Sequence, residues 1–282
     1  FWTGFGAPAG VGPAPADRGR RVAKEAKKTE KSGGGKQKPA VIIVGADKGG
    51  VGKTTVARTL LDYFAGKNVL ARAFDTESPR GTLKRFHPRN TEIVDITQVA
   101  DQMKILDTLT SSEVKVTIID VRAGLLSRVL KDLTDVGFFD AAKEGDFKFA
   151  LFHVLGPSVA SLSEIEEILP FTSDGDYYVV KNHINETNFF EWDQATYDRY
   201  FKKAKKTATE ITVPKLNEMA YEQVEIAGVP FAAFGKNKNA KNQNADYSLV
   251  LRGYTRTWQK NVNEQYDDAG LLEWATEGAQ AS

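Results

Sequence analysis

The sequence predicts an α/β fold of three layers, α/β/α, in which helices cover both faces of a mostly parallel, doubly wound sheet. Three observations predict it. Short apolar runs at 40–44, 68–74, 116–120, 149–155 and 176–182 alternate with stretches whose apolar residues recur at helical spacing. Asp75, Asp120 and Asn182 close or follow three of those runs, and strand ends are where such sheets gather ligands. A glycine-rich turn, 45–55, joins the first run to the first helix-like stretch.

Composition narrows the function classes. The chain has 282 residues, 41% hydrophobic and 27% charged, which suits one large α/β domain. No apolar run approaches the ~18 residues of a membrane span. There is no cysteine, which excludes disulfides, thiolate zinc sites and iron–sulfur clusters. A reducing, cytoplasmic location is expected. Residues 1–38 read as a disordered basic tail and linker: a Gly/Ala/Pro-rich stretch, a charged run, then Ser32-Gly33-Gly34-Gly35. The chain does not open on methionine, so a processed or truncated product is expected. With no apolar stretch beside its basic residues, the tail is not a secretory signal. Residues 18–38 carry nine Lys/Arg against Glu25 and Glu30, while the whole chain is only +1, leaving 39–282 at about −5. Attraction to nucleic acid would therefore reside in the tail or in local patches; a solvating linker is the plainer alternative.

The elements follow in order. Ala40-Val41-Ile42-Ile43-Val44 is a buried strand and Val56 to Leu61 starts a helix. Between them, Gly49, Gly50, Val51 and Gly52 precede Lys53, Thr54 and Thr55, the strand–turn–helix context of a P-loop NTPase. Glycines let successive amides curl around a polyphosphate, and the helix N-terminus adds its dipole. Lys53 is expected to reach the β- and γ-phosphates, and Thr54 to hold Mg²⁺. Asp47 stands where the first glycine of the usual pattern belongs.

Lys48 extends the motif to Lys-Gly-Gly-Val-Gly-Lys-Thr-Thr. This resembles the deviant Walker A of the ParA/MinD family of P-loop ATPases. The resemblance implies that Lys48 reaches a partner subunit's nucleotide, so that ATP joins two copies. The absent cysteines set the chain apart from relatives that hold a metal cluster between subunits.

Asn68 to Phe74 reads as a second strand, ending in Asp75-Thr76-Glu77. ParA/MinD proteins carry Asp-x-Asp here, which implies Asp75 near the Mg²⁺ shell and Glu77, one methylene longer, orienting the attacking water. Capping of the next helix is the structural alternative. A crossover helix is expected over 97–109, with Val99, Met103, Leu106 and Leu109 on its apolar side. Val116 to Asp120 reads as a strand ending in the Walker B acid, so Asp120 is expected to bind Mg²⁺ through water. Arg122 is given no role. A helix over 125–133, a strand over 149–155 and a helix over 159–169 continue the alternation.

The strand 176–182 ends in Asn182. In the resembled family an asparagine there hydrogen-bonds adenine, and an amide offers both donor and acceptor; an asparagine closing a turn is the plainer reading. His153 and His183 are too isolated to argue for a metal site. Beyond lie helices at 192–206 and 216–227, a short strand at 228–231, whose Pro230 the resemblance implies beside the adenine, and a polar loop at 236–242. A last helix from Tyr247 to about Glu264 places Arg252, Arg256 and Lys260 on one side, with Leu251, Tyr254, Trp258 and Val262 packing. The basic row could grip DNA phosphates non-specifically, although charged helix faces are usually just solvated. The acidic end, 271–277, lacks the basic amphipathic character of a membrane anchor.

The resemblance spans roughly 39–235. It implies a slow ATPase that dimerises with ATP and Mg²⁺ and acts as a switch in DNA partitioning or cargo positioning, stimulated by a partner protein, away from membranes. Two alternatives stay open: a metabolic ATP-dependent ligase of the dethiobiotin or cobyrinic acid synthetase kind, or a nucleotide-binding scaffold without turnover.

Overall fold

The computed structural model describes residues 38–109, 113–173, 175–185, 187–204 and 206–277. The expected tail lies outside the described residues except for Lys38. Strands are β1 (Ala40–Gly45), β2 (Ala71–Asp75), β3 (Thr91–Ile93), β4 (Val116–Asp120), β5 (Lys148–Leu155), β6 (Asp176–Asn182) and β7 (Ala208–Val213). Helices are α1 (Lys53–Gly66), α2 (Thr82–Phe86), α3 (Val99–Leu106), α4 (Leu126–Asp135), α5 (Phe138–Glu144), α6 (Val159–Ile168), α7 (Gln194–Ala204), α8 (Glu218–Ala227), α9 (Phe231–Gly235), α10 (Leu249–Asp268) and α11 (Leu271–Thr276). A 3₁₀ turn, Leu169–Phe171, extends α6.

The seven strands form one parallel sheet in the order β3-β2-β4-β1-β5-β6-β7. Every strand end that leads into a loop therefore emerges at one edge. The order reverses at β1, flanked by β4 and β5, and opens the crevice that doubly wound sheets use for ligands. Register sets Asp75 level with Asp120 on neighbouring strands, and Asn182 level with Val213.

Successive side chains alternate between faces, which divides the core in two. Ile42, Val44, Ile118, Phe152, Val180 and Ile211 pack under α1, α8, α9, α10 and α11. Val41, Ile43, Ile119, Leu151 and Val179 pack against the residues of α3 through α7. Both faces are covered, so the central strands are mostly apolar, and each large buried apolar side chain contributes roughly 1.5–3 kcal/mol. α1 is buried almost all round: Leu60, Phe64 and Val56 face the sheet's cluster, while Thr59 shares a 2.7 Å hydrogen bond with the Tyr266 hydroxyl of α10.

Several expectations need correction. The stretch 228–231 is not a strand: Gly228 ends α8 with φ of 60°, and Pro230 begins α9. In α3, Val99 and Met103 are exposed and Ile105 carries the burial. Tyr254 is exposed, not packed. The sequence pattern does not announce β3, β7, α2, α5, α9 or α11. β7 is partly open on one side (Ala208, Glu210 and Thr212 are half-buried), so only Ile211 and Val213 give it an apolar signature.

Candidate functional site

β1 ends at Gly45, and the chain then winds through 46–52 to the start of α1. Gly50 and Gly52 have φ of 74° and 89°, a region a side chain resists. A Cβ at residue 52 would also lie 2.1 Å from Asn182 Nδ2. α1 opens with no side-chain cap and no acid in its first turn, which leaves its leading amides for a ligand. Asp47 is not at positive φ, so the loop does not need glycine there. Its carboxylate instead accepts from the backbone N–H and the hydroxyl of Ser127 at the start of α4.

The loop borders a cavity of about 400 Å³ lined by Gly50, Gly52, Lys53, Thr54, Thr55, Asp75, Glu77 and Asp120, with Thr82, Arg122 and Tyr221 added. Lys53 is 8% exposed and donates to the Lys48 carbonyl at 3.3 Å. Burial lowers its pKa, countered by Asp120, Glu164, Glu77 and Asp47. Thr54 Oγ1 donates to Asp120 Oδ2 at 2.8 Å. Burial pushes the Asp120 carboxyl up to about 7, with Asp75 and Glu77 adding repulsion and Thr54 and Lys53 opposing. A hydroxyl and a carboxylate in contact beside an open cavity make a hard oxygen donor set, and it fits a hydrated Mg²⁺.

The two other acids are engaged. Asp75 accepts from the amides of Glu77 (3.0 Å) and Lys84 (3.1 Å), one per oxygen. Burial raises its pKa and those backbone bonds oppose the rise. Glu77 is exposed and accepts from the Thr82 hydroxyl. Lys48 points its backbone into the loop while its side chain is exposed, with no ion-pair partner among the described residues. Gly49 is also exposed in the loop, and Val51 is buried beneath it.

A second cavity, about 310 Å³, shares Gly50, Gly52, Thr55 and Tyr221 with the first. Its far walls are Asn182, His183, Pro214, Leu216 and Trp258. Asn182 is buried and donates from Nδ2 to the Val51 carbonyl at 2.7 Å, tying the end of β6 to the loop. Pro230 is not in either cavity. It lines a separate hollow with Arg85, His87 and Arg89, because the chain there turns into α9 rather than running along the sheet edge. Pro214, directly after β7, lines the second cavity, and the alternating Ile211-Thr212-Val213-Pro214 is the sequence signal that marks it.

The basic row on α10 is present but occupied. Arg252 donates to the Tyr247 carbonyl at 3.1 Å and Arg256 to the Gly235 carbonyl at 3.0 Å, while Lys260 faces Glu264 at 3.4 Å. The row lines neither loop cavity. Among the described residues no helix is long and apolar enough to cross a membrane.

A parallel sheet whose central strand delivers a glycine-rich loop to an uncapped helix, with an acid on the adjacent strand, is the three-layer P-loop fold. Among solved structures, the chain resembles the MinD cell division protein of Aquifex aeolicus, at 15% identity and a TM-score of 0.44 over 79% of this chain and 97% of that one. The MinC:MinD cell division protein complex of the same organism gives 14% identity, 0.45, and 79% and 96% coverage. A nucleotide-binding protein from Archaeoglobus fulgidus, in complex with ADP, gives 14%, 0.40, and 66% and 85%. No family model matches the sequence, and no curated protein matches it.

Proposed function

We propose that the chain binds ATP with Mg²⁺ and hydrolyses it slowly, and that ATP joins two copies into a switch of the ParA/MinD type. The observation that carries this reading is the Thr54–Asp120 contact of 2.8 Å at the mouth of the loop, beside a buried Lys53. In this reading the triphosphate lies along the α1 N-terminus, where main-chain amides and Lys53 meet its oxygens. The sugar and base occupy the second cavity, with Asn182 at the base edge and Pro214 and Leu216 as its apolar walls.

Thr54 and Asp120 would hold Mg²⁺, which when bound neutralises charge on the β- and γ-oxygens. Glu77, at the open side of the first cavity, orients the attacking water. Asp75 shapes the segment that carries Glu77, since both of its oxygens are spent on backbone amides. With Thr82 holding Glu77, the resting arrangement supports slow turnover or a scaffold without it. Lys48, exposed at the rim, is the residue placed to meet a second copy's nucleotide. A partner protein that stimulates turnover, partitioning or cargo positioning as the output, and DNA contact through Arg252, Arg256 and Lys260 extend the same reading on family resemblance and spacing alone.

Size-exclusion chromatography with ADP or a non-hydrolysable ATP analogue tests it, paired with calorimetry. The wild type is expected to dimerise only with the analogue. Lys48→Ala is expected to bind nucleotide yet stay monomeric, and Lys53→Ala to lose affinity at least ~100-fold, the loss of a charged phosphate contact. A wild type that remains monomeric with both nucleotides ends the switch reading.

A further inference from the structure

We propose that Glu164, on α6 and outside both loop cavities, is a positioning residue: its carboxylate fixes the start of the loop in the shape that receives a polyphosphate. Glu164 Oε2 accepts from the Asp47 amide at 2.9 Å, and Oε1 from the Lys48 amide at 2.7 Å. These two N–H groups meet an acceptor that is itself only 8% exposed. Buried amides without an acceptor are costly, and a carboxylate satisfies two at once.

The clamp has a rigid base. His153 on β5 is fully buried, with Nε2 3.4 Å from Glu164 Oε2 and Nδ1 2.9 Å from the Tyr177 hydroxyl of β6. A tautomer that donates from Nε2–H to Glu164 and accepts from the Tyr177 O–H at Nδ1 satisfies all three groups. α6 itself is anchored by buried Leu162 and Ile165 and by the Ser158 side chain, which accepts from the Ser161 amide. Rigid elements hold a functional geometry better than loops do.

The peptide between Asp47 and Lys48 is thereby pinned at both ends. Its N–H goes to Glu164, and its carbonyl accepts from the Gly124 amide at 2.9 Å. The Asp47 carboxylate grips Ser127 from the other side. One residue further on, the Lys48 carbonyl accepts from Lys53 Nζ. Glu164 thus sets the direction of the peptide that leads into both lysines. A loop shaped before its ligand arrives spares the cost of ordering it on binding.

The role rests on the nucleotide reading for its affinity readout, and the test separates the two. Glu164→Gln keeps the shape and one strong acceptor oxygen; Glu164→Ala removes both. Amide hydrogen exchange at Asp47 and Lys48 is measured by NMR, alongside calorimetry with Mg-ADP and a thermal melt. Exchange at these two amides is expected to quicken in both variants, most in Glu164→Ala. Affinity is expected to fall about tenfold for Gln and further for Ala, in keeping with the loss of charge-assisted hydrogen bonds. Faster exchange with wild-type affinity in both variants overturns the positioning role, and so does unchanged exchange. A wild type that takes up no nucleotide overturns the nucleotide reading instead, and the exchange rates alone then decide whether Glu164 holds the loop.

Discussion

At position 52 a single hydrogen separates a working loop from a collision. A methyl group there would meet Asn182 Nδ2 at 2.1 Å, on a backbone with φ of 89°. Gly52→Ala must therefore either push Asn182 off the Val51 carbonyl or flatten the turn. The expected outcome is a loss of nucleotide affinity of at least ~10-fold by calorimetry, with a melting temperature several degrees lower. Wild-type affinity in this variant would show that the loop reshapes freely. That Lys53, Thr54, Asp75 and Asp120 would gather around one cavity was legible, because each ends a strand or begins a helix. Glu164 was not, since it meets the loop across 116 and 117 residues of chain and no local pattern marks a residue that serves a distant turn. Asp47 departs from the usual loop pattern in the sequence, whereas its contact with Ser127 becomes visible only in the fold.

Between elements, the junction of α1 with α9 carries a titratable group. Asp62 Oδ2 accepts from the Ala232 amide in the first turn of α9 (3.0 Å) and from Gln259 Nε2 (3.1 Å). Burial pushes its carboxyl up to about 6. The folded chain keeps a proton there that the unfolded chain gives up, so Asp62 favours folding at low pH. That contribution fades as pH rises from the ordinary carboxylate range through about 6, then stays level. His87, pushed down to about 3 by burial and by Arg58, works in the opposite sense, losing stability as pH falls below its ordinary value. In Asp62→Asn the first slope disappears and the second remains. The melting temperature of Asp62→Asn minus that of the wild type is expected to grow between pH 4 and pH 7 and then flatten; a difference independent of pH would refute the buried acid. The strands with continuous apolar runs were legible, because burial on both faces leaves no other composition. β7, half open, and the five-residue α2 and α9 were not, since so short a helix has too few turns to show a period.

At the scale of the molecule, the parallel sheet separates two edges. The loop and both cavities lie where the strands end, whereas α11 closes the edge where they begin. Leu271 and Ala275 are fully buried, Trp274 Nε1 donates to Asp176 Oδ2 at 2.6 Å, and the Trp274 carbonyl accepts from Lys148 Nζ at 2.8 Å. Asp176 and Lys148 are the first residues of β6 and β5. Ending the chain at Gly270 is expected to lower the melting temperature by roughly 10 °C while leaving nucleotide affinity at 20 °C unchanged. An unchanged melt would show that α11 is ornamental.

Lys53 is not idle while it waits: its ammonium already leans on the Lys48 carbonyl, one oxygen of the loop's own making. On the proposed reading, loading the site would be a swap of one oxygen for another. The warmth of the new contact would be partly offset by the one surrendered, so a titration would release less heat than a free ammonium meeting the same anion.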